Sequence, residues 1–124
     1  MSKYIVCGGR DFYDAKYLYA VLDYYCWSDP KERAITEIIE GGAQGADTLA
    51  RYWALHNNIE VTTERADWKT HGKAAGPIRN KKMLDEHPDA VAVIAFPTGG
   101  PGTKHMIELA KASGFRVYVR ENED

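Results

Sequence analysis

Gly99, Gly100 and Gly102, with Pro101 between them and Thr103 after them, form the stretch "PTGGPGT" between an apolar run and an amphipathic one. Glycine lets backbone N–H groups approach a ligand with no Cβ in the way, and a helix starting there adds the positive end of its dipole. The Thr103 hydroxyl supplies one more hydrogen bond. That set of groups suits a phosphate or diphosphate. Two other turns are built alike: Gly8, Gly9, Arg10 and Asp11 in "GGRDF", and Gly42, Ala43, Gln44, Gly45 and Asp47 in "GGAQGAD". For any single turn, glycines that merely tighten a strand-to-helix connection explain the pattern equally well. Three such turns on neighbouring strands favour a phosphate-bearing ligand.

The remaining chemistry is sparser. In "DWKTHGKAAGPIRNKK" (67–82), Lys69, Lys73, Arg79, Lys81 and Lys82 concentrate positive charge. Lys81 and Lys82 are expected on a solvated face. Arg79 and Asn80, just after Gly76-Pro77, can turn inward and pair with phosphate. Trp68 either stacks on a base or packs against a sheet edge. Asp47 either holds a ribose hydroxyl or stabilises a bare helix N-terminus. Neither G-x-x-x-x-G-K-[ST] nor G-x-G-x-x-G occurs, which disfavours a nucleotide triphosphatase and an ordinary dinucleotide dehydrogenase. His56, His71, His87 and His105 have no metal-ligand spacing, so no metal is expected, and no cofactor is implied. There is no G-x-S-x-G elbow, and Cys7 and Cys26 have no histidine partner in sequence.

These groups need strand ends to hold them. "YIVC" (4–7), "AITEII" (34–39), "IEVTTERA" (59–66), "AVAVIAF" (90–96) and "FRVYV" (115–119) read as strands, the third half exposed near an edge. Between them, helical spacing runs through Ala15–Cys26 with Asp14 as N-cap, through Ala46–Ala54, from Pro77 to about Glu86, and over 103–113 before Gly114. Residues 67–76 are expected as a loop, and "RENED" as an acidic tail. Five alternations predict an α/β, Rossmann-like three-layer fold with a five-stranded parallel sheet in order 3-2-1-4-5. In that order, the three glycine turns open onto one crevice beside the switch point of strands 1 and 4.

With 124 residues, 44% apolar and 27% charged, the chain is expected to be one globular domain spanning 1–124 with an adequate core. A net charge of −2 argues against general affinity for nucleic acid or anionic membranes. The N-terminal pattern is not that of a signal peptide, and the longest apolar run is far short of a membrane span. A cytoplasmic location with two buried free thiols is expected.

"GGRDF", "GGAQGADTLA", "GKAAGPIRNKKML" and "FPTGGPGT", in this order and spacing, resemble the YspA-like (YAcAr) family of the SLOG superfamily. That superfamily also holds the LOG cytokinin-activating phosphoribohydrolases and the DprA/SMF DNA-processing proteins. The resemblance spans nearly the whole chain. It implies a nucleotide-derived ligand, NAD- or ADP-ribose-related molecules included, at the strand ends. Arg79 in "IRNKKM" looks like the active-site arginine of the LOG "RKxxM" motif, and "PTGGPGT" looks like the LOG "PGGxGTxxE" turn. Two departures follow from that alignment. Thr98 is an extra residue, and the catalytic glutamate falls on Met106, with Glu108 two positions further on. Asp11 remains as the candidate carboxylate.

A binding protein that senses or sequesters its ligand is therefore expected ahead of a nucleoside-phosphate N-glycosidase using Arg79 and Asp11. A DprA-like single-strand DNA binder comes third, because the net charge opposes it. The resemblance also implies a homodimer or higher homo-oligomer. Tyr17, Tyr19, Tyr24, Tyr25 and Trp27 on the first helix exceed what a single core face needs.

Overall fold

The apolar segments of the chain become five strands: β1 (Lys3–Gly8), β2 (Glu37–Glu40), β3 (Glu60–Thr63), β4 (Ala92–Phe96) and β5 (Val117–Val119). They alternate with helices α1 (Ala15–Cys26), α2 (Ala46–His56), α3 (Trp68–His71), α4 (Ala75–Glu86) and α5 (Pro101–Ala112). The computed structural model describes residues 2–29 and 32–121. All five strands are parallel and lie in the order β3-β2-β1-β4-β5, as the alternation predicts. In register, Val6 pairs with Ile94 and Gly8 with Phe96, so β1 and β4 end side by side.

The side-chain period of two divides each central strand between two cores. Tyr4, Val6, Ile38, Ile94 and Phe96 pack with Leu18 and Leu22 of α1 and with Ala50 and Trp53 of α2. Ile5, Ile39 and Val93 pack instead with Met83 and Leu84 of α4 and with Met106 and Ala110 of α5. Helices thus cover both faces of the sheet, which is why β4 reads as a continuous apolar run and is buried along its whole length. Each fully buried aliphatic side chain here is worth about 1.5–3 kcal/mol. Edge strand β3 keeps Val61, Thr62 and Thr63 half-buried.

Several boundaries differ from the sequence reading. Strand β2 starts at Glu37, not at 34, because Ala34 and Thr36 donate their N–H groups to Cys26 and Ser2 outside the ladder. It runs on to Glu40, whose side chain is fully buried. The segment 67–76 is not an open loop. Asp67 caps α3 by accepting from Thr70 N at 3.1 Å, a 3₁₀ turn covers Gly72–Ala74, and α4 begins two residues before Pro77. Pro77 still lies in the first turn, where a missing N–H costs nothing. Helix α5 starts at Pro101 rather than at 103.

Asp14 caps α1 as expected, accepting from Tyr17 N at 3.1 Å. Of the five aromatics in α1 and at its C-cap, three are half-buried within the chain. Tyr17 meets Phe96 edge-on, Tyr19 meets His56, and Tyr25 stacks on Tyr118 with ring centroids 4.7 Å apart. Tyr24 and Trp27 remain exposed. The "RENED" segment is not wholly a free tail, because Arg120 donates to the Tyr25 hydroxyl at 2.9 Å through Nε. Asn122, Glu123 and Asp124 lie outside the described residues. Among the described residues, no helix is long and apolar enough to cross a membrane.

Candidate functional site

A cavity of about 810 Å³ opens where β1, β2 and β4 end, a volume suited to a small organic ligand. Of the residues singled out from the sequence, Gly8, Gly9, Arg10, Asp11, Ala43, Asp47, Arg79, Asn80, Gly100, Gly102 and Thr103 line it. Gly42, Gln44, Gly45 and Gly99 do not. Gly45 carries φ +79° and faces the backbone of the neighbouring turn, where a Cβ would lie 2.3 Å from the Gly9 carbonyl oxygen. Gly42 is turned towards Thr63 and Arg65 on the β3 side, and Gln44 and Gly99 are exposed on the outer surface.

The turn after β1 and the turn after β2 are stitched together. Ala46 donates its N–H to the Gly9 carbonyl at 3.3 Å, and Phe12 donates to the same oxygen at 3.2 Å. A Cβ on Gly8 would lie 2.5 Å from that of Ala46. These glycines therefore serve the fold. In the turn after β4 the reverse holds. A Cβ on Gly100 or Gly102 would meet nothing within 4 Å, although both residues line the cavity. There the bare backbone at the start of a twelve-residue helix borders open space.

Thr98, the extra residue of that turn, donates its hydroxyl to Asp11 and packs where a side chain on Gly9 would go. It ties the β4–α5 turn to the β1–α1 turn, and it engages the carboxylate that the sequence offered as a catalytic candidate. Asp11 itself is exposed.

Arg79 reaches the cavity from α4 in a fixed pose. Its Nη1 donates to the Gly41 carbonyl at 2.8 Å and its Nε to Asn80 Oδ1 at 3.0 Å. Arginine has five N–H donors, so its Nη2 group and one Nη1 hydrogen stay available for an anion. Asn80 Nδ2 lies 3.1 Å from His105 Nδ1. Because Arg79 can only donate, Oδ1 of Asn80 must face it, and the amide nitrogen must face His105. His105 Nδ1 is then the acceptor, and its proton sits on Nε2.

Asp47 is the buried carboxylate of the site. Its Oδ2 accepts from Gly41 N at 3.1 Å and from Ala43 N at 3.2 Å. Burial raises its pKa to about 6, and the charge of Glu40 adds to the rise, while the two backbone donors and Arg79 oppose it. Glu40 accepts from Gly42 N at 2.6 Å and from the Thr63 hydroxyl, fixing the start of the turn. A glutamate closing a strand just before "GG" was the available signal for this residue, and hydrophobic patterning gave no reason to weigh it.

Met106 lines the floor of the cavity and is buried, while Glu108 is exposed on the other side of α5. The position aligned with a catalytic glutamate thus faces the site but carries a thioether. Cys7 is half-buried in the same floor rather than fully buried, and burial pushes its thiol well above the ordinary range. Cys26 is buried and both thiols are free. Trp68 neither packs on a sheet edge nor hides. It stands at the rim with the Arg10 guanidinium 4.9 Å from its ring centroid. Lys73, one of the cations of the 67–82 stretch, and His105 also line the cavity, and His105 was given no role from sequence because a lone His carries no spacing signal. Lys81 and Lys82 are exposed as expected, paired with Asp85 and Glu86. Among the described residues, no group of His, Cys, Asp and Glu is arranged to hold a metal ion.

Residues 3–71 match the family model described as YspA, cpYpsA-related SLOG family. The Gene 61 protein of Mycobacterium phage D29 is 41% identical over 86 residues, 64% of this chain and 67% of that protein. The X-ray structure of DNA processing protein A (DprA) from Streptococcus pneumoniae superposes with a TM-score of 0.75 at 19% identity. That superposition covers 96% of this chain, which spans half the length of the DprA chain. At that identity the likeness is one of fold.

Proposed function

Because the chain belongs to the YspA, cpYpsA-related SLOG family, we propose that its crevice binds a nucleotide or an NAD- or ADP-ribose-derived small molecule. The observation that carries this reading is the contrast among the glycines. Gly100 and Gly102 border open cavity at a helix N-terminus, whereas the glycines of the other two turns are filled by protein. Phosphate oxygens fit there, accepting from the first N–H groups of α5 and from the free edge of Arg79. Thr103 supplies a hydroxyl and Asp47 a carboxylate for a ribose diol. Mass spectrometry of small molecules retained through purification tests the reading directly. Recovery of no phosphorylated compound, together with no heat of binding for AMP, ADP-ribose or NAD, overturns it.

One observation supports a second reading, cleavage of the ligand's N-glycosidic bond. Asp47 is a buried carboxylate beside Arg79 with a pKa of about 6, the range of a working general base. It can take a proton from a water attacking C1′, the hydroxyl staying on the sugar and the proton ending on the departing base. Asp11, bonded by Thr98 and exposed, is less suited. Release of free base from AMP or NAD separates an enzyme from a binder.

The fold likeness to a DNA processing protein raises single-stranded DNA as an alternative ligand. A net charge of −2 opposes it, and a salt-dependent gel shift decides. A cytoplasmic homodimer is the assembly we favour, with exposed Tyr24 on α1 and Trp27 just after it as its contacts. Light scattering at the monomer mass counts against it.

A further inference from the structure

The lining changes character at Trp68. It is 47% exposed, in contrast to Trp53, which is 1% exposed in the core, so its indole is not there to fill the interior. Its place is nevertheless held. Asp67 caps the turn that carries it, and the ring lies against Gly76 at the start of α4, where a Cβ would stand in ordinary contact with Cη2 at 3.4 Å. The Arg10 guanidinium covers the ring at 4.9 Å. Among the described residues Arg10 has no carboxylate in ion-pair contact, and both residues line the cavity. The indole face thus carries a cation rather than apolar packing, and both groups border the crevice, an arrangement that suits a flat group in the cation's place.

We propose that Trp68 reads the base of the ligand: a purine or pyrimidine ring displaces the Arg10 guanidinium and stacks on the indole, while the phosphate sits at the start of α5. This assignment rests on the nucleotide reading above and adds to it a residue for the base. A flat ring stacks on indole whatever its hydrogen-bonding edge, so Trp68 distinguishes ligands with a base from those without one.

Titration calorimetry with AMP and with ribose 5-phosphate, in which an anomeric hydroxyl replaces the base, tests the assignment in wild type, Trp68→Leu and Trp68→Phe. Leucine keeps apolar bulk without a π-face. Wild type is expected to bind AMP more tightly than ribose 5-phosphate by roughly five- to a hundredfold, the worth of one base–aromatic stack. Trp68→Leu should bring that ratio close to one through loss of AMP affinity alone, and Trp68→Phe should keep most of it. The ratio is insensitive to a general loosening of the crevice, which weakens both ligands together. An unchanged ratio in Trp68→Leu overturns the role of Trp68 and leaves the nucleotide reading standing. If wild type binds neither compound, nor ADP-ribose or NAD, at millimolar concentration, the nucleotide reading fails and the base assignment fails with it.

Discussion

In the β2–α2 turn a methyl group on Gly45 would lie 2.3 Å from a backbone oxygen of the adjacent turn, whereas in the β4–α5 turn one on Gly100 or Gly102 would meet nothing within 4 Å. The two turns look alike as strings of glycine. One is closed by the protein's own backbone and the other is left open beside a cavity. Glycine content therefore marks a close approach without saying what approaches. After β1 and β2 the approaching groups belong to the protein, the adjacent turn for Gly8, Gly9 and Gly45 and the side chains of Arg79, Thr63 and Arg65 for Gly41 and Gly42. Beyond β4 the approaching group is solvent or a ligand.

The contrast is sharpest in a pair of substitutions. Gly45→Ala puts a side chain at φ +79° against the Gly9 carbonyl. It should cost about 2–5 kcal/mol through backbone strain and overpacking. That corresponds to a melting temperature lower by roughly 10 °C or more in a domain of this size. A Gly45→Ala protein that melts within a few degrees of wild type would remove the distinction. Gly100 has φ −77° and ψ 153°, ordinary values for any residue. Gly100→Val should then melt close to wild type, with a loss of about 1 kcal/mol or less at the helix cap. It should nevertheless bind AMP or ADP-ribose at least ~100-fold more weakly, about 2.7 kcal/mol, if phosphate occupies that space. Cold-retained affinity in an unstable Gly100→Val would make the turn structural.

Arg79 touches both regions, holding the Gly41 carbonyl on one side and offering free N–H groups on the other. Arg79→Ala should weaken ligand binding by about 1.5–3 kcal/mol, the worth of a hydrogen bond to a charged group. A separate urea titration should show a smaller loss of stability, about 1 kcal/mol, for the bond to Gly41. Equal losses in both measurements would mean that the residue serves the fold alone.

Asp47 belongs to the closed turn and titrates with it. Its folded pKa of about 6 exceeds the ordinary 3.8, so the folded chain keeps a proton that the unfolded chain has released. Its contribution to stability therefore falls as pH rises from about 4 to about 6. Asp47→Asn retains an acceptor for Gly41 N and Ala43 N without the charge. It should be more stable than wild type by about 1–2 kcal/mol at pH 7.5, with the gain vanishing near pH 4. A gain that does not vary with pH would place the carboxylate at an ordinary pKa. The smallest effect is expected at Lys81, on the outer face of α4 and paired with Asp85 at 2.6 Å. Lys81→Ala should change stability by no more than ~0.5 kcal/mol and leave affinity alone. Weaker ligand binding in that variant would mean that charge anywhere on α4, not Arg79 in its fixed pose, draws the anion.

Strand order was legible because five strand–helix alternations with right-handed crossovers leave few topologies, and the apolar run "AVAVIAF" marks a strand buried on both faces. Helix starts were less so. Pro77 suits a first turn and lies in one, yet α4 begins at Ala75, in residues expected as loop. Asp11 and Asp47 were both singled out along the chain, Asp11 as the catalytic candidate, and both line the cavity. That Asp47 is the buried one, with Glu40 behind it, was not legible, because burial is a property of neighbours far apart in sequence.

By itself, the sequence determined the α/β class, the five parallel strands and their order, and the three turns that open onto one crevice. Periodicity and chain connectivity are local, so they are written along the chain. Only the tertiary structure decided which glycines are filled and which are open, that Thr98 clasps Asp11, and that Arg10 lies over Trp68. It also decided that Met106 faces the cavity while Glu108 does not. Each of these depends on the distance between turns that follow different strands, and that distance exists only once the sheet has brought the strands together.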